Sequence, residues 1–198
     1  MLLPIERLLV RVRQVPSRAD ELIALKARLR RERAQRPGSE ERGLALELRR
    51  LKAEVAQAVG AVDACSTCAT GKRAPRGTFA GGDCCAGITS DLFDDDQLAA
   101  LAQAGTRPRD LTPPRAAHAG CAFRGPTGCT LDTTHRPARC VHYTCITLRK
   151  ELRARGDLAA IDRKLDELAR AMKRFAQLRA ERLDDELFAP LAEALADR

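Results

Sequence analysis

Residues 121–145 read CAFRGPTGCTLDTTHRPARCVHYTC, and this stretch organises the chain. It holds Cys121, Cys129, Cys140 and Cys145, separated by 7, 10 and 4 residues, with Gly, Pro and Thr between them. A run so poor in large apolar side chains has little to fix one conformation, whereas thiolates bind soft and borderline metals strongly. The spacing therefore predicts an irregular, metal-organised loop.

The other four cysteines lie upstream, as Cys65-Ser-Thr-Cys68 and the adjacent pair Cys84-Cys85. Two residues between Cys65 and Cys68 let both sulfurs reach one metal at about 2.3 Å. The same spacing serves redox disulfides, but there it opens a helix after a strand, and no strand pattern precedes Cys65. Neighbouring side chains diverge, so Cys84 and Cys85 suit two ions, or two irons of one assembly, better than a strained ring. All eight cysteines are read as metal ligands, enough for two four-coordinate sites.

Compartment bears on the same point. The opening MLLPIERLLVRVRQV is interrupted by Pro4, Glu6 and Arg7 before an apolar region forms, and no run approaches the roughly 20 apolar residues of a membrane span. A cytoplasmic setting without membrane attachment is expected. There thiols stay reduced, and eight of them point to metal rather than to a disulfide framework.

With no Trp, one Tyr and five Phe in 198 residues, the core must come from Leu, Ala and Val, which suits helices. The net charge of +8 is uneven: residues 1–60 carry 14 Lys/Arg against 8 Asp/Glu, and residues 151–198 carry 10 against 11. An N-terminal basic excess admits contact with nucleic acid or another polyanion, but Arg outnumbers Lys 29 to 6, and a solvated Arg-rich helix face explains it more simply.

Periodicity divides the chain into a helical region over 1–62, a cysteine-cluster domain over 63–150 and a second helical region over 151–198. After a short segment at Ile5 to Val12, Pro16-Ser17 punctuates, and Leu22, Leu25 and Leu29 form one stripe. Arg30, Arg31, Arg33 and Arg36 crowd the end of this helix, and Pro37-Gly38 stops it. Ser39 is the expected cap of the next, whose Leu44, Leu48, Leu51, Val55, Ala58 and Val62 recur at three and four residues. Residues 87–105 read as a turn and a helix opened by Asp94, Asp95 and Asp96, and Pro113-Pro114 keeps the following connector extended.

Ile146 to Arg155 gives a short helix ended by Gly156, and Asp157 is the expected cap of the segment carrying Ile161, Leu165, Leu168, Met172 and Phe175. This stripe matches that of residues 44–62. The two helices should pack together as a small antiparallel bundle, or against copies in a dimer. A separate last helix is expected to begin near Pro190. The fold class is mainly α, with the cysteine-cluster domain beside the bundle.

No phosphate loop, nucleophile elbow or paired catalytic acid is present, so any enzymatic chemistry rests on the metal. His135 and His142 lie within the last cluster, and either can replace a thiol, although eight thiols suffice without them. Arg136 or Arg139 is a candidate hydrogen-bond donor to sulfur.

These residues resemble the YkgJ-type cysteine-cluster family, described as a zinc- or iron-chelating domain with a C-x-x-C-x-x-C-C signature. The resemblance rests on Cys65, Cys68, Cys84-Cys85 with CCAGITSDLFDDDQLAAL, and Gly128-Cys129-x-Leu131 followed by Arg136-Pro137-x-x-Cys140-x-x-Tyr143-x-Cys145, covering residues 65–145. Fifteen residues separate Cys68 from Cys84 where the family pattern has two, an insertion that a loop excursion closes at little entropic cost.

The resemblance implies metal chelation by the eight cysteines and leaves the reaction open. Two closed zinc sites would each contribute on the order of 10 kcal/mol to folding. An iron–sulfur cluster would use four thiolates, and the adjacent pair favours it over zinc. The alternatives are a zinc-stabilised module recruiting a protein or nucleic acid through its helices, and a cluster-dependent redox or modification enzyme.

Overall fold

The computed structural model describes residues 17–67, 89–115, 121–125 and 128–196. The expected helix at Ile5 to Val12, and Cys68, Cys84 and Cys85, lie outside them.

The described chain is mainly helical. Helix α1 spans Arg18–Ala34, and Ser17 starts it in a reciprocal cap with Asp20. Leu25 and Leu29 are buried as the stripe predicts. Helix α2 spans Ser39–Val59. Gly38 takes the cap position and Ser39 is the first helical residue, so the expected Ser cap is corrected by one place. The helix stops at Gly60, whose φ of 61° with ψ of −152° only glycine adopts readily. A five-residue helix α3, Asp63–Thr67, then carries Cys65.

Helices α4 (Thr89–Leu92) and α5 (Asp95–Gln103) follow. Asp94 caps α5 by accepting the N–H of Gln97, so the acidic run acts as a helix start, as expected. Six consecutive residues of α5, Gln97 to Ala102, are buried. A short helix covered all round is the middle layer: Leu98 and Leu101 meet Leu25 and Leu29 of α1, while Ala99 and Ala100 meet Leu48 and Leu51 of α2.

The cysteine-rich stretch forms a two-stranded antiparallel ribbon, β1 (Arg124–Gly125) with β2 (Gly128–Cys129), in the register Arg124↔Cys129. Phe123 fixes it to the core, its ring 5.4 Å from that of Phe93. A 3₁₀ turn at Thr133–His135 leads into helix α6 (Ala138–His142), and helix α7 (Ile146–Ala154) starts at Cys145.

Helix α8 runs from Leu158 to Ala196, 39 residues without interruption. Asp157 opens it through its backbone carbonyl, which accepts the N–H of Ile161, while its carboxylate binds Arg155 instead of capping. The break expected near Pro190 is absent. Proline there deprives only the Glu186 carbonyl of its donor, on an exposed turn where water can serve it.

Helices α2 and α8 pack antiparallel, as their stripes predict. Glu54 pairs with Lys164 and Glu40 with Arg174, both at 3.1 Å, and Leu48, Leu51, Leu168 and Phe175 lie buried between them. Among the described residues no helix is long and apolar enough to cross a membrane.

Candidate metal centre

Five of the eight cysteines are described, and all five border one cavity. Cys65, Cys121, Cys129, Cys140 and Cys145 line a single cavity of about 780 Å³, and none of them is in a disulfide. Val55, Val59, Val62, Leu92, Val141 and Leu148 supply its apolar wall, and Arg124, Arg136, Tyr143 and Thr144 its polar groups.

Each thiol is placed by a different device. Cys65 rides on α3, whose first two N–H groups, of Asp63 and Ala64, donate to the carboxylate of Glu151 on α7 at 3.0 Å each. The carbonyl of Cys65 accepts a hydrogen bond from Arg124 at 3.2 Å. Arg124 itself is 2% exposed, an unusual position for a guanidinium, and it borders the thiol cavity.

Cys121 enters through a buried hydroxyl. Thr89 donates to Glu21 at 3.0 Å and accepts the N–H of Ala122 at 3.0 Å, which holds the ribbon against α1 and α4. Burial pushes the Cys121 thiol up to about 11, and the neighbouring charge of Cys129 adds to the shift. Ribbon pairing sets Cys129 beside Arg124.

Cys140 sits on α6, and two buried polar side chains fix that helix. Gln97 accepts the Ala138 N–H at 2.6 Å, and the Lys52 amine donates to the carbonyls of Thr134 at 2.7 Å and Arg136 at 2.9 Å. Cys145 caps α7, its sulfur accepting the Leu148 N–H at 3.4 Å.

The histidines are engaged otherwise. The Nδ1 of His135 lies 3.0 Å from the hydroxyl of buried Thr106, and His142 lines a separate cleft with Asp94, Asp96 and Arg139. Among the described residues Arg136 donates to the carbonyl of Leu131 at 2.9 Å and Arg139 to the carbonyl of Asp91 at 2.5 Å.

Among the described residues no three His, Cys, Asp or Glu side chains come together closely enough to hold one ion. The donor set nevertheless has the chemistry for a thiophilic metal: several reduced sulfurs, an apolar wall and a buried cation.

Sequence reading missed the supports: Lys52, Gln97, Thr89, Arg124 and Glu151. Lys52 alone left a signal, lying four residues after Leu48 and three before Val55 on the buried face of its helix.

Compared with family models, with curated proteins and with solved structures, the chain matches none.

Proposed function

We propose that this protein binds metal through thiolates, with Cys65, Cys68, Cys84, Cys85, Cys121, Cys129, Cys140 and Cys145 as the ligand set. The observation that carries this reading is the convergence of five described cysteines, drawn from residues 65 to 145, on one cavity without a disulfide. The resemblance to the YkgJ-type cluster family supports it, as does the sequence spacing of the remaining three thiols.

Between metals the reading favours an iron–sulfur cluster over zinc, because the adjacent Cys84 and Cys85 suit a polynuclear assembly. When bound, such a cluster supplies one-electron chemistry, whereas zinc supplies structure. The chain's own residues do the rest. Arg124 brings a permanent positive charge to the cavity wall, offsetting thiolate charge, and Val55, Val141 and Leu148 limit the entry of water.

A zinc-stabilised interaction module is the second reading. The observation that favours it lies at the cavity rim, where Ile146 is 74% and Tyr143 44% exposed beside Cys145. A protein partner would find there two exposed apolar side chains.

Metal and acid-labile sulfide per chain, measured on protein purified without oxygen together with its visible spectrum, tests both. Iron with sulfide and a brown chromophore supports the first reading. About two colourless zinc ions per chain support the second. Protein that carries no metal and takes up none after reduction overturns both.

A further inference from the structure

Helix α6 borders a second hollow besides the thiol cavity. Its Ala138, Arg139 and His142 line a cleft of about 300 Å³, together with the start of α5 and the middle of α8. The floor is apolar, built from Ala138, Leu168, Ala169, Met172 and Ala176. Asp94, Asp96, Arg139, His142 and Lys173 supply the polar groups.

Both acids of the cleft are committed. Asp94 caps α5 through the Gln97 N–H and lies 3.9 Å from Arg139, and Asp96 pairs with Arg179 at 2.9 Å. Arg139 also donates to the Asp91 carbonyl. Among the described residues, Lys173 and His142 make no hydrogen bond or ion pair. The uncommitted groups are thus an ammonium on a long flexible stem and an imidazole that can donate a ring N–H. An apolar hollow with a few convergent polar groups is the form of a small-molecule site, and here the spare charge is positive.

We propose that this cleft binds a small carboxylate with an apolar body: Lys173 and His142 meet the carboxylate, and Ala169, Met172 and Ala176 meet the body.

Three probes of equal chain length test it: octanoate, octanol and octylammonium. At about pH 8 the acid is ionised and the amine protonated. Each is titrated into reduced full-length protein while the histidine ring protons are followed by NMR, the His142 signal being identified by its loss in His142→Gln. Lys173→Gln and Ala169→Phe are then compared with wild type, each after circular dichroism shows wild-type helical content.

The His142 signal should shift and saturate with octanoate, while that of His135, beside Thr106, stays in place. Octanol should bind about two- to fivefold more weakly, the share of an exposed ion pair, and octylammonium more weakly still. Lys173→Gln should weaken octanoate by that same factor and leave octanol unchanged. Ala169→Phe, which places a ring in the cleft from an exposed helix position, should abolish binding of both. If that variant fails to fold, Lys173→Gln still decides.

Equal affinity for octanoate and octanol, or octanoate binding untouched by Lys173→Gln, would overturn the carboxylate as the ligand class. A His142 shift that does not appear, does not saturate, or survives Ala169→Phe would overturn the cleft as the site.

Discussion

The carboxylate of Glu151 accepts the backbone N–H of Ala64 at 3.0 Å, and that of Asp63 at the same distance. The helix that begins at Cys145 thereby closes the open first turn of the helix that carries Cys65. A five-residue helix has almost no stability of its own, since nucleation is unfavourable and few internal bonds form. This contact from 87 residues further along the chain, with the Arg124 hydrogen bond to the Cys65 carbonyl, holds it at the cavity.

Replacing Glu151 with Ala should therefore lower stability by about 1–2 kcal/mol, as for loss of a helix cap. The effect should fall most heavily on Cys65, which should label faster with a thiol reagent while Cys129 is unchanged. Glu151→Gln, which keeps one acceptor oxygen, should lose less than half as much. Urea unfolding with peptide-resolved labelling checks this, and equal losses in both variants would show that charge, not capping, matters.

Glu41 and Arg182 tie the first turn of α2 to α8. Glu41 is 3% exposed and accepts from Arg182 at 2.8 Å, with Gln103 donating to the same carboxylate. Removing one partner of a buried pair leaves the other charge uncompensated, so Arg182→Met should destabilise by about 3 kcal/mol or more. The double variant Glu41→Leu with Arg182→Met should recover most of that loss. A double variant as unstable as the sum of the singles would refute this coupling.

The bundle was legible in the sequence and the cavity supports were not. Leu48, Leu51, Val55, Leu165, Leu168 and Phe175 recur at helical spacing, and each is buried where the stripe puts it. Cysteine is chemically conspicuous, so the five described thiols could be named from the sequence. Gln97 and Glu151 are ordinary helix residues in composition, and their importance arises only when α5 and α7 are set against sequence-distant helix starts at Ala138 and Ala64. Pro190 misled for a related reason: proline interrupts helices on average, and only the exposure of the preceding turn lets this one continue.

The same contrast gives a stability prediction along α8. Phe175 is fully buried between α2 and α8, while Leu187, three turns on, is 71% exposed. Phe175→Ala should cost about 3–5 kcal/mol through lost burial and the cavity left behind. Leu187→Ser should fall within about 0.5 kcal/mol of wild type, as surface substitutions do. A large loss at Leu187, measured at low protein concentration and relieved at high, would instead reveal a contact between copies of this chain.

Acid–base linkage makes the last prediction, for reduced protein without metal. Burial lowers Lys52 to about 7, and the charge of Arg49 adds to the shift, with Cys140 and Asp132 opposing it. Unfolded lysine titrates near 10.4, so above pH 7 the unfolded chain holds a proton that the folded chain has released. Stability then rises with pH from about 7, by at most about 1.4 kcal/mol per unit from this group. Cys121 has the opposite sign. Burial first, then the charge of Cys129, raises it to about 11, so the folded thiol keeps a proton that the unfolded one sheds near 8.5. Its contribution is fully present below about pH 8.5 and is lost as pH rises through 11. Between pH 7 and 8.5 the lysine dominates: the stability of wild type relative to Lys52→Met should move in favour of wild type by about 1–2 kcal/mol. Relative to Cys121→Ala, wild type should lose ground between pH 9 and 10.5. Urea unfolding at these four pH values measures both differences, and a wild-type to Lys52→Met gap that stays constant from pH 7 to 8.5 would mean that the buried amine keeps its charge throughout.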